Sequence, residues 1–169
     1  MRKLVVTSIA LCAAMITSQA IAQAPPAPAP APAPPPAYGE TVNLEQAKKA
    51  AAAAQDFAAK NGWAMAITVV GPSGDLVYFQ KMDNTQFASI VIAQHKARAA
   101  ATFRRPTKVF EDRIATPAGV PALTLDGVIA SEGGIPIVIG GKIVGAMGCS
   151  GGTGQQDGQT CQAAVDAMK

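Results

Sequence analysis

The sequence predicts an α+β sandwich with a largely antiparallel central sheet of about five strands and helices packed against it. Three features carry that prediction. The apolar runs 135–139 and 143–149 stand on either side of Gly140-Gly141, and a glycine pair supplies the positive backbone angles of a tight hairpin turn. A second hairpin is written by the apolar runs 63–70 and 76–82 about Gly71-Pro72-Ser73-Gly74. The stretches around these pairs place apolar residues at helical spacing, with no repeated strand-helix-strand crossover.

The first 40 of the 169 residues lie outside that pattern. Met1-Arg2-Lys3 is a positive start, residues 4–17 form an apolar run, and Ala20-Ile21-Ala22 is a small-x-small cleavage motif, so residues 1–22 read as a signal peptide. The apolar run is shorter than the roughly 20 residues of a spanning helix, so no transmembrane anchor is expected after cleavage and the protein is expected to be periplasmic or secreted. Cys12 lies inside the run rather than after a cleavage motif, which argues against a lipid anchor. Residues 23–40 read as a linker; their Ala/Pro run, 24–37, lacks too many N–H groups for a helix or ladder and spans roughly 40 Å when extended. Residues 41–169 are left as the folded domain. Removing Arg2 and Lys3 leaves 12 basic against 11 acidic residues, so the net charge falls from +3 to +1. With no concentrated positive field and no nucleic-acid motif, nucleic acid is excluded as a partner.

Within the domain, Asn43 followed by Gln46 is a capping-box pattern, and Leu44, Ala47, Ala51, Ala54 and Ala58 recur at helical spacing up to a stop at Asn61-Gly62. The first hairpin follows. Residues 89–105 form the next helix, ended by Pro106; on its wheel Ile90, Ala93, Ala97, Ala100 and Ala101 share an arc, Ile92, Ala99 and Phe103 form the neighbouring one, and Lys96 falls between them. His95 and Arg98 lie on the polar sector opposite. Thr107 can cap a short helix over 108–114, residues 115–126 read as irregular, and residues 128–130 as a short strand before the second hairpin. That hairpin, with hardly a polar side chain, should be covered on both faces. In the last helix Asp157, Cys161, Ala164, Val165 and Met168 share a face, with Asp157 in the first turn where the helix dipole favours a carboxylate.

Few residues carry chemistry. Gly141-Lys142 lacks the flanking residues of a phosphate-binding loop, and Gly152-Thr153-Gly154 lies too near the end of the sequence for a dinucleotide unit. One histidine and the pair Cys149 and Cys161 do not make a protein-only zinc site. Haem asks less, one axial His, Met, Cys or Tyr and an apolar pocket, and His95, Tyr78, Met65, Met82 and Met147 are available with none singled out by spacing. A lysine among apolar positions pairs with a carboxylate or snorkels, so Asp157 can bond the N–H groups of Ser150, Gly151 and Gly152 or receive Lys96. Cys149 ends the hairpin and Cys161 sits early in the returning helix; they read either as a disulfide or as two small buried apolar residues.

The residues NGWAMAITVVGPSGDLVYFQKMD (61–83), AQHKARAAATFRRPT (93–107), GGIPIVIGGKIVGAMGCSGG (133–152) and QQDGQ (155–159) together resemble the GlcG/HbpS-type haem-binding family, from Val42 to Met168. The resemblance implies an α-β-α sandwich, self-assembly into homo-oligomers, and haem binding, linked in some members to haem or iron sensing. Lys96, Ala97, Thr107, Gly133, Gly134 and Asp157 match the family pattern and are the expected pocket lining, together with Ser150 and Gly151 of the glycine loop. A small residue is typical at position 95, so a ligand role for His95 would be particular to this chain. The leading expectation is an exported haem-binding protein serving sensing, storage or degradation. The alternative is a small-molecule binder or enzyme of the same fold with Lys96 and Asp157 in a pocket, and a ligand-free assembly module is the third. The first two are separated by whether Lys96 and Asp157 converge on a cavity or neutralise each other in the core.

Overall fold

The computed structural model describes residues 33–169; the expected signal peptide, Cys12 and most of the stretch read as a linker lie outside them. In chain order the elements are β1 (Ala37–Tyr38), α1 (Leu44–Lys60), β2 (Ala66–Val70), β3 (Leu76–Lys81), α2 (Ala88–Thr102), α3 (Lys108–Ile114), a 3-10 helix (Pro117–Thr124), β4 (Gly134–Ile139), β5 (Lys142–Ser150) and α4 (Gly154–Asp166). β5 is the organising strand. It pairs antiparallel with β4 along one edge and with β2 along the other, and β3 extends the sheet beyond β2. The α+β sandwich is thus present, and its sheet is mixed because β1 joins β5 in parallel.

The sheet separates two apolar layers. Ile67, Val69, Ile137 and Met147 pack with Ala47, Ala54 and Ala58 of α1 and Ala164 and Val165 of α4, while Val70 and Ala146 pack with Ala97, Ala100 and Ala101 of α2. Alanine on α2 lets its backbone come close to the sheet. At Gly148 an added Cβ would run into the carbonyl of Ala93 and the N–H of Ala97, so this glycine is required by proximity. The hairpin turn has Gly140 and Gly141 at φ 58° and 74°, a conformation in which both residues need positive φ.

Several local readings hold in detail. Asn43 and Gln46 form the expected capping box on α1, and Thr153 and Gln156 form another on α4 that is not among the expectations. Others are corrected. α2 stops at Thr102 because Arg104 takes a left-handed conformation, φ 55°, two residues before Pro106. Thr107 makes no side-chain cap; its hydroxyl accepts from the N–H of Gly134 at 2.9 Å instead. The irregular stretch contains the 3-10 helix, suited to a segment with Pro117 and Pro121. Residues 128–130 form no strand: both edges of β5 are already taken, and three half-buried residues after left-handed Gly127 gain no ladder.

The fifth strand comes from the stretch read as linker. β1 occupies the edge of β5 that β2 leaves free beyond Ala146, with Ala37 opposite Lys142 and Tyr38 opposite Ile143. The Tyr38 hydroxyl donates to the Thr102 carbonyl at 2.9 Å, satisfying an orphan acceptor at the end of α2.

Cys149 of β5 and Cys161 of α4 are joined by a disulfide, Cα atoms 5.8 Å apart, both side chains fully buried. The closed loop of about 13 residues corresponds to about 3 kcal/mol on the chain-entropy account. Replacing both cysteines by alanine should therefore lower the stability measured by denaturant melts by about that amount; an unchanged midpoint would show that the bond contributes nothing to holding α4.

Candidate functional site

Lys96 is carried on the inward face of α2 and Asp157 in the first turn of α4, and the two meet beneath the start of β4. The Lys96 ammonium donates to Asp157 Oδ2 at 2.7 Å, and Asp157 Oδ1 accepts from the Gly152 N–H at 3.0 Å. Their side chains are only 2% and 3% exposed. The two glycines of β4's entry close the space above them. A Cβ on Gly133, at φ 128°, would lie 2.8 Å from Asp157 Cβ and 3.0 Å from Lys96 Nζ, and one on Gly134 would run into the Lys96 carbonyl. Gly134 and Thr107 exchange two hydrogen bonds, 2.9 and 3.0 Å, and the Cys149 N–H donates to the Gly133 carbonyl at 2.9 Å.

Lys96, Thr107, Gly133, Gly134 and Asp157 are therefore brought together as a packed knot, and the ion pair neutralises itself there. Ser150 stands beside this knot, 3% exposed, with its hydroxyl donating to Ser89. Gly151 follows it with its backbone against the Ala64 carbonyl, where a side chain does not fit. Burial pushes the Asp157 carboxyl above its ordinary range, against the lowering pull of the Lys96 ammonium and the Gly152 and Gly151 N–H groups.

The five axial-ligand candidates lie apart. Tyr78 is on the α1 side of the sheet, half-buried, its hydroxyl donating to Gln80 at 3.3 Å. Met82 is half-buried beyond β3, where its sulfur accepts from the Met65 N–H at 3.4 Å. Met65 and Met147 are wholly buried. His95 alone is open to solvent, on the outer side of α2, and makes no hydrogen bond among the described residues. It lines a cleft of about 280 Å³ with Arg98, Gly127 and Val128. Arg98 is steadied there by donating to the Gly74 carbonyl at 3.3 Å. A free imidazole, a guanidinium and an apolar side chain on one wall are a donor set that fits one edge of haem, a molecule larger than the cleft: nitrogen for iron, cation for a propionate, hydrocarbon for the macrocycle edge. The sequence named His95 without its cleft, because the wall opposite is a loop 32 residues later, with no local signal.

A second cleft went unread in the sequence. About 270 Å³ in volume, it is floored by Ile135, Val138 and Val165 and has Arg104 at its rim. Arg104 is there because of its left-handed backbone, which nothing in the sequence marks.

A family model described as "Haem degrading protein HbpS-like" matches residues 42–166. The chain belongs to the HbpS-like family. Among curated proteins it is 40% identical over 110 residues to Protein GlcG of Escherichia coli K12, covering 64% of this chain and 81% of that protein. Its structure matches a double mutant of Streptomyces reticuli HbpS with TM-score 0.72 and 28% identity, over 85% of this chain and 99% of that one. A PduOC:heme complex matches with TM-score 0.68 and 22% identity, over 75% and 94% of the two chains, a likeness of fold. Within this HbpS-like chain the matching motifs at 93–107, 133–152 and 155–159 are the stretches that build the buried knot.

The knot predicts its own energetics. Lys96→Met and Asp157→Leu should each cost about 3–5 kcal/mol by stranding a buried charge, and the double variant should recover most of that loss. Denaturant melts of the four proteins check it; a double variant as unstable as the sum of the singles contradicts it. Because the folded-state value of Asp157 lies above the ordinary 3.8, the folded protein holds this proton to higher pH than the unfolded chain does. Its ionisation therefore subtracts stability as pH rises from below 3.8 through the raised value. Over that range wild type should lose stability relative to Asp157→Asn, and a relative gain would refute the assignment.

Proposed function

We propose that this protein is an exported, self-assembling haem binder that holds haem at the cleft between α2 and the loop at Gly127-Val128. The observation that carries the reading is the uncommitted His95 imidazole on the wall of that cleft beside Arg98. Membership of a family described by haem degradation supports the ligand, as does the fold shared with a PduOC:heme complex. Bound there, haem would supply an iron centre for sensing, storage or breakdown. The residues of the chain do the holding: His95 offers a ring nitrogen, Arg98 anchors a carboxylate, and Val128 contributes apolar surface to a site near solvent.

Export is supported by the leader pattern of residues 1–22 and by the buried disulfide, a bond that persists in oxidising compartments. Amino-terminal sequencing of protein from the periplasm or medium should begin at Gln23; an intact leader would overturn this part. Self-assembly is supported by exposed apolar side chains at the start of α2, Phe87 just before it at 83% and Val91 on it at 55%. Light scattering should give a mass above that of one chain.

The ligand is tested by titrating haemin into the protein and following absorbance. A saturable, stoichiometric Soret shift is expected, weakened about tenfold or more in His95→Ala, since the iron loses its protein ligand. Absence of a saturable shift in wild type would overturn the haem reading. An unchanged shift in His95→Ala would move the ligand to Tyr78 or Met82.

A further inference from the structure

The cleft at Arg104 is physically unlike the one at His95. Its floor and walls are Pro106, Ile135, Pro136, Val138, Ile143 and Val165, an apolar surface from β4, β5, α4 and the segment after α2. Two cations stand at its edge, Arg104 and Lys169, with the Gln162 amide. Lys169 is already committed: its ammonium donates to Asp166 at 2.6 Å, and Gln162 donates to the same carboxylate at 3.1 Å. Arg104 has no carboxylate partner among the described residues.

Arg104 is also held in place. Its backbone is left-handed at φ 55°, an uncommon state for a residue with a side chain and one retained only where the surroundings enforce it. The guanidinium carbon lies 5.4 Å from the centre of the Tyr38 ring, and Nη1 donates to the Pro36 carbonyl at 3.4 Å. Stacking and one weak donor contact fix the plane and leave further N–H donors uncommitted. A fixed, unpaired guanidinium over an apolar floor is the arrangement that selects an anionic head on a hydrocarbon body.

We infer that this cleft is a second binding site, distinct from the haem cleft, for a small monocarboxylate with an apolar body. The carboxylate pairs with Arg104 and the hydrocarbon lies on Ile135, Val138 and Val165. At about 30 Å³ per non-hydrogen atom, the share a water molecule takes in the liquid, the volume admits roughly nine such atoms. Octanoate has ten, so its terminal methyl reaches the mouth. The assignment stands whether or not the protein binds haem, because it rests on different residues.

The test is a titration of the full chain with sodium octanoate, followed by the backbone amide resonances of Val138, Gln162 and Val165. Saturable shifts at these residues are expected. Octan-1-ol, with the same body and no charge, should bind about tenfold or more weakly, and Arg104→Gln should weaken octanoate by a similar factor while keeping a folded spectrum. Arg104→Lys, which keeps the charge and loses the planar fork, should fall between. No saturable shift, equal binding of the alcohol, or undiminished binding by Arg104→Gln would each overturn the proposal.

Discussion

The contact between Lys96 and Asp157 is the constraint on which the arrangement of layers depends. α2 and α4 lie on opposite faces of the sheet, and their charged groups reach each other at 2.7 Å only past the entry to β4, where Gly133 and Gly134 leave no side chain in the way. Gly148 lets α2 close on β5, Thr107 clamps Gly134, and the disulfide ties α4 to β5 one turn after Asp157. Each presupposes the others, since a displaced α2 would strand a buried ammonium and a displaced α4 a buried carboxylate. The glycines are thus part of the electrostatics: they make room for a charge pair that water cannot reach.

That arrangement sorts the chain's polar residues into two classes. Inside, Lys96 bonds Asp157, Ser150 bonds Ser89 and Thr107 bonds the backbone of Gly134, all of them buried. Outside, His95 and Arg104 stand beside clefts; among the described residues the first has no side-chain hydrogen bond and the second a single weak one, to the Pro36 carbonyl. A rigid interior holding a few uncommitted groups at fixed places on the surface is how a small α+β domain presents ligands to solvent. The cleft at Gly127-Val128 has its imidazole from the residue immediately before Lys96, so the same helical turn that anchors the core also aims His95 outward.

What the sequence revealed follows the range of the interactions. Asn43 with Gln46 and Gly140 with Gly141 act over one to three residues, and the helix start and hairpin were readable at those places. Lys96 could be seen to need a partner and Asp157 to be one of its options, because periodicity puts both on inward faces. The identity of the fifth strand was not readable: Ala37-Tyr38 lies in an Ala/Pro-rich stretch, and its pairing depends on an edge of β5 left vacant more than 100 residues later. Thr107 has the right type and place for a helix cap, yet a partner 27 residues away in Gly134 wins its hydroxyl. Arg104 carries no signal in the sequence, and its backbone conformation is what distinguishes it.

The central claim is that the buried pair is a brace and that ligand binding belongs to the surface. Titrating haemin into the double variant Lys96→Met/Asp157→Leu tests it most directly, because this protein keeps the fold's packing without the charges. The account predicts the same saturable Soret shift as wild type, with a midpoint within about twofold. A folded double variant that no longer binds haemin would contradict it and place the ligand at the knot.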